Sequence, residues 1–385
     1  MNIVFLTTQS STQSTLIGRV VPLAEECMRM GHGVKVFMHA EQKHKSGSSV
    51  FPGTAIPIQY TGISPFTRFA EGKKRAKGMF LIMRMGANAI RAALGLFLER
   101  PDTIVIVKPL PENTLAALLA KVFLWNTKIV LDVDDFELSA NSLSSRAQRA
   151  AVHASERIAA MIASSIAVAT PFLLDHMGQL TAGKKPIILI PTGLNTITAI
   201  PGNNHVMMYM GSVSISSGHK VDMLPDILRA VRKEISDASL IIAGSGDDNL
   251  VIKKKFQEYN LEDAVTWTGR FSIEDIPSLV GMAGILIDPV DGSIANRAKS
   301  SFRVALGTAV GMAVVTSNIG IRTMLIPTSF QEKFFAIPGD SASYASKILD
   351  IMNNPISVEN KKQLQEHAAQ FSWNLLAKKY LTLIV

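Results

Sequence analysis

Two stretches of this sequence concentrate residues able to do chemistry. In "KIVLDVDDFELS", residues 128–139, Asp132, Asp134 and Asp135 stand where a Val- and Ile-rich run ends. Three carboxylates in four positions repel one another unless a cation offsets them, and such crowding favours shifted pKa values and functional use. Lys108, in "VKPLP" at the end of the preceding apolar run, is the candidate cation. A D-x-D pair can hold a metal ion bridging phosphates; capping the following helix is the other reading. In "NRAKSSFRVALGTAVGMAVV", residues 296–315, Arg297, Lys299 and Arg303 surround Ser300 and Ser301 just before a helical run. Serines at an N-cap, exposed N–H groups and the cations Lys299 and Arg303 suit a diphosphate, with Arg297 turned to solvent.

Glycine-containing turns supply further candidates. "TTQSSTQSTLIGR" is rich in hydroxyls, and its Gly18 lets a ligand approach the backbone, although a capped helix start accounts for it too. Neither G-x-G-x-x-G nor G-x-x-x-x-G-K-[ST] fits there, so dinucleotide and P-loop readings fail. "MGSVSISSGHKVD" offers Gly211, His219 and Lys220 as an anion-cradling turn or a surface loop. "IAGSGDD", with Gly244 and Gly246, is a Gly-rich strand exit, and "TGRF", with Arg270, offers backbone groups to a base edge. No serine triad, zinc ligand set or aromatic–basic interleaving appears.

The elements that must position these residues alternate regularly. "NIVFLTT", "GVKVFMH", "TIVIVK", "KIVLDVDD", "SIAVAT" and "PIILIPTG" are separated by helical stretches at 18–31, 112–124 and 143–163. After a polar break at "PGNNH" the alternation restarts with "VMMYMGS", "SLIIAGSG", "AVTWTG", "GILIDPV" and "AVVTS". This predicts two doubly wound parallel-sheet domains joined near residue 200, with ligands beyond the carboxyl ends of the strands, in the cleft between the domains. At 385 residues and 47% apolar, the chain can fill two cores.

Composition narrows the class further. The net charge of +8 favours anionic partners. A lone cysteine, Cys27, excludes an internal disulfide and a cysteine-cluster zinc site. Met1 leads straight into a strand pattern, so a cytoplasmic protein without a secretory signal is expected. Residues 68–100 hold eight lysines and arginines against two acids, mixed with Phe, Leu, Ile and Met. They read as a basic amphipathic helix lying on an anionic membrane or as a solvated helix over the first sheet. Charge alone argues for nucleic acid, which is not expected as a partner.

Taken in order, "GHGVKV", "VLDVDD", "LIPTGLN", "YMGS", "LIIAGSG", "TWTGRF", "LIDPV", "KSSFRVALGTAVGMAVVTS" and "FSW" resemble a family 4 glycosyltransferase over nearly the whole chain. The resemblance implies the GT-B fold. Residues 1–195 form an acceptor domain, 205–370 a donor domain, and a helix at 371–385 returns to the first. It implies a retaining transfer of a hexose from a nucleotide sugar, UDP by family default, without an essential metal. Ser212 and Lys220 fall where the family often has Arg and Lys on the diphosphate, Ser300 and Ser301 at its phosphate-binding helix start, and Phe271 near its base contact. Arg303 replaces its usual lysine. Many members carry E-x7-E across 298–306; alignment on Gly311 puts Ala298 and Leu306 at those positions.

The expected function is therefore sugar transfer to a lipid-linked or polysaccharide acceptor at the cytoplasmic membrane face. Lys220 and Arg303 would stabilise the departing nucleotide, and Asp134 or Asp135 would act on the acceptor hydroxyl. The loss of both glutamates favours the alternative, a non-catalytic GT-B protein that binds a nucleotide sugar or partners a transferase. A nucleotide-sugar epimerase is a third reading.

Overall fold

A computed structural model describes residues 1–41, 47–64, 66–69, 72–75, 78–141, 143, 145–195, 197–215, 218 and 220–384, with backbone alone at 47–48, 66–69 and 72–75. The chain divides into two compact units, Met1–Gly193 with Trp373–Val385, and Leu194–Ser372. The first boundary falls two residues before the expected 195. The stretch between the expected domains, 196–204, belongs with 194–195 to the second unit: Gly202 N–H donates to Ala283 O at 2.9 Å, and Leu194 bridges Ser372.

The first unit is built on an eight-stranded sheet in the order β10-β9-β8-β7-β1-β2-β4-β3. These are β1 (Asn2–Leu6), β2 (Gly33–Ala40), β3 (Gly47–Val50), β4 (Pro57–Ile63), β7 (Thr103–Val107), β8 (Lys128–Val133), β9 (Ser165–Val168) and β10 (Ile187–Leu189). All pairs are parallel except β3 with β4. Central β7, "TIVIV", is buried at every residue, as a strand covered on both faces must be. The helices are α1 (Val21–Arg29), α2 (Gly78–Glu99), α3 (Pro111–Phe123), α4 (Glu137–Ala140), α5 (Arg146–Ile162) and α6 (Pro171–Leu180). Right-handed crossovers put α2, α3 and α5 on one face of the sheet and α1 on the other. The last helix of the chain, α16 (Trp373–Leu381), packs on α1 and buries Trp373 and Tyr380.

The basic helix expected over 68–100 is corrected here. Its first part is a hairpin, β5 (Phe66–Phe69) against β6 (Gly72–Arg75), and only Gly78–Glu99 is helical. Strand pairing joins the backbone of 66–69 to that of 72–75, and Gly78 has φ 65°, a conformation that a continuous helix does not contain. Five of the eight cations therefore precede the helix.

The second unit has a six-stranded parallel sheet, order β13-β12-β11-β14-β15-β16. The strands are β11 (Val206–Met210), β12 (Ser239–Ala243), β13 (Val265–Gly269), β14 (Ile285–Ile287), β15 (Ala313–Ser317) and β16 (Phe335–Ala336). They are wrapped by α7 (Leu224–Glu234), α8 (Asn249–Glu258), α9 (Ile276–Met282), α10 (Ile294–Ala298), α11 (Phe302–Ala309), α12 (Arg322–Leu325), α13 (Thr328–Phe334), α14 (Ser341–Asn353) and α15 (Val358–Ala369). In chain order this is the 3-2-1-4-5-6 arrangement, whose switch point lies between β11 and β14. In the first unit the chain reverses direction between β1 and β7. Both switch points are where sites belong.

A buried ion pair closes the first unit. The segment Leu16–Val20 is a π-helical turn that aims Arg19 inward, where Nε and Nη2 bond Asp132 Oδ1 at 2.9 and 2.8 Å. Arg19 Nη1 donates to Ile190 O at 2.8 Å, and the Tyr380 hydroxyl reaches Asp132 Oδ2 at 3.3 Å. One carboxylate thus joins the first turn, β8, the end of β10 and α16. Asp132→Ala leaves the Arg19 guanidinium buried without its counter-ion. The expected loss is about 3–5 kcal/mol, read as a lower urea midpoint at unchanged slope. A loss under about 1 kcal/mol would show that the pair does not hold these elements.

Candidate functional site

In the first unit the strand ends gather an anionic cluster around one lysine. Lys108 follows β7 with φ 67°, a conformation that a non-glycine residue adopts only when its surroundings impose it. Its Nζ lies 3.0 Å from Asp134, 2.8 Å from Asp135 and 3.0 Å from Glu137. Lys108 is thus the opposing cation looked for in the sequence. Asp134, Asp135 and Glu137 have oxygens close enough to hold a metal ion, but the ammonium already occupies that role. Thr15, from the hydroxyl-rich first turn, donates to Asp134 at 2.8 Å. Gly18 is half-buried, and open space adjoins its α-carbon.

The two candidate aspartates differ in what they can do. Burial works to raise the Asp134 carboxyl, but Lys108, Arg19 and the Thr15 hydroxyl win and hold it below the usual range. A buried, depressed carboxylate is a weak base, so the acceptor role foreseen for Asp134 gives way to pairing Lys108. The Asp135 side chain is 25% exposed and reaches solvent. Glu137, which sequence reasoning did not single out, is buried and pushed up to about 7, first by burial and then by Asp135 and Asp134, against the pull of Lys108. His39, at the end of β2, was also missed. Its Nε2 bonds Glu112 at the start of α3, and its Nδ1 has no hydrogen-bond partner.

In the second unit the turns after β11 and β12 lie against each other. Gly211 N–H donates to Ala243 O at 2.8 Å, and Asp248 N–H to Val213 O at 3.2 Å. A side chain on Gly244 would meet Gly211 O at 1.8 Å, and one on Gly246 would meet Val213 O at 2.1 Å. These glycines permit the two turns to touch; ligand approach is not needed to explain them. Arg270 is exposed and donates to Ser245 Oγ at 3.1 Å, with Phe271 half-buried beside it. Ser212 is exposed, and its carbonyl accepts from the Tyr209 hydroxyl at 2.7 Å. His219 lies outside the described residues. Lys220 is 25% exposed, with loose contacts of 3.4 Å to Asp222 and 3.8 Å to Asp291. A β-carbon at Gly218 would stand 3.7 Å from Lys299 Nζ, so both lysines border this turn.

The helix start at 299–303 differs from the expectation. Ser301 caps α11, accepting from Val304 N–H, and its hydroxyl donates to Asp288 Oδ2 at 3.0 Å. Arg303 is only 8% exposed. It bonds Asp288 Oδ1 through Nε at 2.7 Å and Met210 O through Nη1 at 2.9 Å, with its guanidinium over the Tyr209 ring. In the first turn of α11 this position faces the sheet, so Arg303 buttresses the Met210–Gly211 turn from below and does not present its guanidinium to a departing phosphate. Ser300 remains half-buried at the helix start.

Asp288 organises all of this and was not singled out. Besides Arg303 and Ser301, it accepts from Arg322 Nε at 2.6 Å and Thr316 Oγ1 at 3.2 Å. Burial would raise this carboxyl, but Arg322 and Arg303 hold it well below the ordinary carboxylate range. One carboxylate between two guanidiniums leaves an excess positive charge beneath the glycine turn, which favours an anion there. "LIDPV" placed Asp288 at a strand end, but nothing local marked Arg322 as its partner. Ala298 and Leu306 are both buried, so neither position offers a polar group to a ribose.

Two outcomes test these roles. Arg303→Ala strips Asp288 Oδ1 and Met210 O of a charged donor while Arg322 still pairs Asp288, and should lower stability by about 1.5–3 kcal/mol, whereas a surface cation would cost under about 1 kcal/mol. At Glu137 the folded carboxyl keeps its proton up to about 7, while the unfolded one releases it near 4.5. The folded state then holds the extra proton between these values, so stability falls as pH rises across that window. Urea midpoints of wild type and Glu137→Gln across that window should show a fall in the former and less in the latter. Equal slopes would remove the proton from Glu137.

Residues 204–354 match the family described as glycosyl transferases group 1. No curated protein matches the chain. Sucrose-phosphate synthase from Thermosynechococcus elongatus superposes with a TM-score of 0.78 at 16% identity, covering 99% of this chain and 98% of that one. HepE of Anabaena, in complex with UDP and glucose, gives 0.71 at 15% identity, with 99% and 98% covered. The lipopolysaccharide outer core galactosyltransferase WaaB, in its apo form, gives 0.70 at 13%, with 100% and 99% covered. The chain therefore has the two-unit α/β fold of the GT-B glycosyltransferases, and residues 204–354 of its second unit are similar to glycosyl transferases group 1.

Proposed function

We propose that this protein is a retaining glycosyltransferase of family 4 that moves a hexose from a nucleotide sugar to a glycan or lipid-linked acceptor at the cytoplasmic membrane face. The observation that carries the reading is the cationic switch point of the second unit. There Lys299 lies beside Gly218 and Lys220 follows it, in the segment after β11 whose Gly211 turn rests on Arg303 of the Asp288–Arg303–Arg322 group, and Lys299 precedes the start of α11. A departing nucleoside diphosphate gains charge as the glycosidic bond breaks, and fixed cations with a helix N-terminus stabilise that charge. UDP is the default donor base, and HepE, solved with UDP-glucose, supports it.

In the first unit Asp135 is the carboxylate best placed to orient an acceptor hydroxyl, since it alone of the cluster is appreciably exposed. The reading requires no metal. Buried Ala298 and Leu306 favour the second reading, a GT-B protein that binds a nucleotide sugar without turning it over.

Thermal unfolding against UDP, GDP, ADP, CMP and dTDP, with and without magnesium, tests the site. A nucleotide at a hundred times its Kd should add about 2.7 kcal/mol of stability. Lys220→Ala should weaken that nucleotide by roughly ten- to a hundredfold, as loss of a charged hydrogen bond does. No response to any nucleotide would end the donor-site assignment. Binding without release of nucleoside diphosphate to any acceptor would select the second reading.

A further inference from the structure

The outer surface of the first unit is unusually apolar. More than half of the large exposed hydrophobic residues of the whole chain, among those described, belong to α2, α3, α5 and the turn after α3. Helix α2 is apolar on two sides. Leu81, Ala89, Ala92 and Leu96 face inward, while Met83, Ile90, Leu94 and Leu98 recur at helical spacing on the outside. Helix α3 repeats the arrangement, exposing Leu115, Leu118, Val122 and Phe123, followed by Trp125.

The two stripes are continuous, because Phe97 of α2 meets Phe123 of α3 edge to face at 5.9 Å. An apolar groove between α3 and α5, walled by Pro111, Leu115, Leu118, Ala151, Ala154 and Ile158, extends the surface. Although α2 is long and apolar enough to cross a bilayer, it packs against β4 and α3 and so lies along the sheet.

The charges on this surface have one sign. Arg91, Arg146, Arg149 and Arg157 are exposed. Of the acids on the three helices, Glu112 and Glu156 are buried, and Glu99 pairs with Lys35. Soluble monomers rarely expose contiguous apolar patches of more than a few hundred Å². A second copy of the chain would set these arginines against their own equivalents across a two-fold axis, where like charges repel.

An anionic bilayer satisfies both features. Acyl chains accept the apolar stripes and the groove, headgroups accept the guanidiniums, and Trp125 has the ring chemistry favoured at the interface. We propose that the outer face of α2, α3 and α5 is a docking surface for an anionic lipid bilayer, on which the first unit rests with these helices in the membrane plane. The membrane location in the functional reading rests on this surface. Docking itself requires no turnover.

Vesicle sedimentation of the full chain tests it. The protein should pellet with vesicles of phosphatidylcholine and phosphatidylglycerol, less so as salt rises, and stay in solution with phosphatidylcholine alone. Leu98, Val122 and Trp125 are 78%, 70% and 76% exposed, so the combined variant L98E/V122E/W125E should fold with an unchanged Tm. It should bind anionic vesicles roughly tenfold or more weakly and keep its nucleotide response. Wild-type protein that ignores anionic vesicles, or a variant that binds them equally well, overturns the proposal. So does a lipid-free wild-type dimer that the variant abolishes, since the face would then belong to a second copy. Vesicle binding without any nucleotide response would leave docking standing and sink the transferase reading alone.

Discussion

The second unit depends on one buried carboxylate. Asp288 follows a three-residue strand and is fully buried, a position that an ionised group tolerates only with counter-ions and hydrogen bonds around it. Its partners arrive from β15, α12 and the start of α11, and Arg303 extends the connection to the turn after β11. The backbone that would meet a nucleotide is held by this charge balance. Removing any partner leaves a buried polar atom without its hydrogen bond, so the geometry of the turn and the stability of the unit are linked.

The first unit applies the same physics with the sign reversed. Around Lys108 a single cation faces three carboxylates, and burial, with Asp135 and Asp134 beside it, makes Glu137 retain its proton. The neighbouring Arg19–Asp132 pair is balanced and serves the fold. One unit therefore ends its strands in excess negative charge and the other in excess positive charge. Parallel sheets make that division economical, since every strand delivers its last residue to the same edge.

Much of the architecture was legible in the sequence because its cause is local. Val- and Ile-rich runs separated by helical stretches gave two doubly wound sheets. The terminal helix that the resemblance implied at 371–385 is present as α16 and packs on α1, burying Trp373, Leu376 and Tyr380. Residues 68–100 misled because composition and charge persist across a hairpin as readily as across a helix, whereas backbone pairing between 66–69 and 72–75 does not show in either.

The candidate site divides along the same line. Sequence by itself determined which strand ends carry acids, glycines and cations, since strand periodicity and turn chemistry are read from neighbours in the chain. Lys108 was recognisable as the partner of the aspartates because both follow adjacent strand runs. Only the tertiary structure decided which charged groups are occupied. Arg303 looked like a phosphate ligand until Asp288 and Met210, 15 and 93 residues away, claimed its guanidinium. Arg322 showed no signal at all before the fold brought it to Asp288. The reason is physical. Electrostatic free energy depends on separation in space and on burial, and neither quantity is a function of position along the chain.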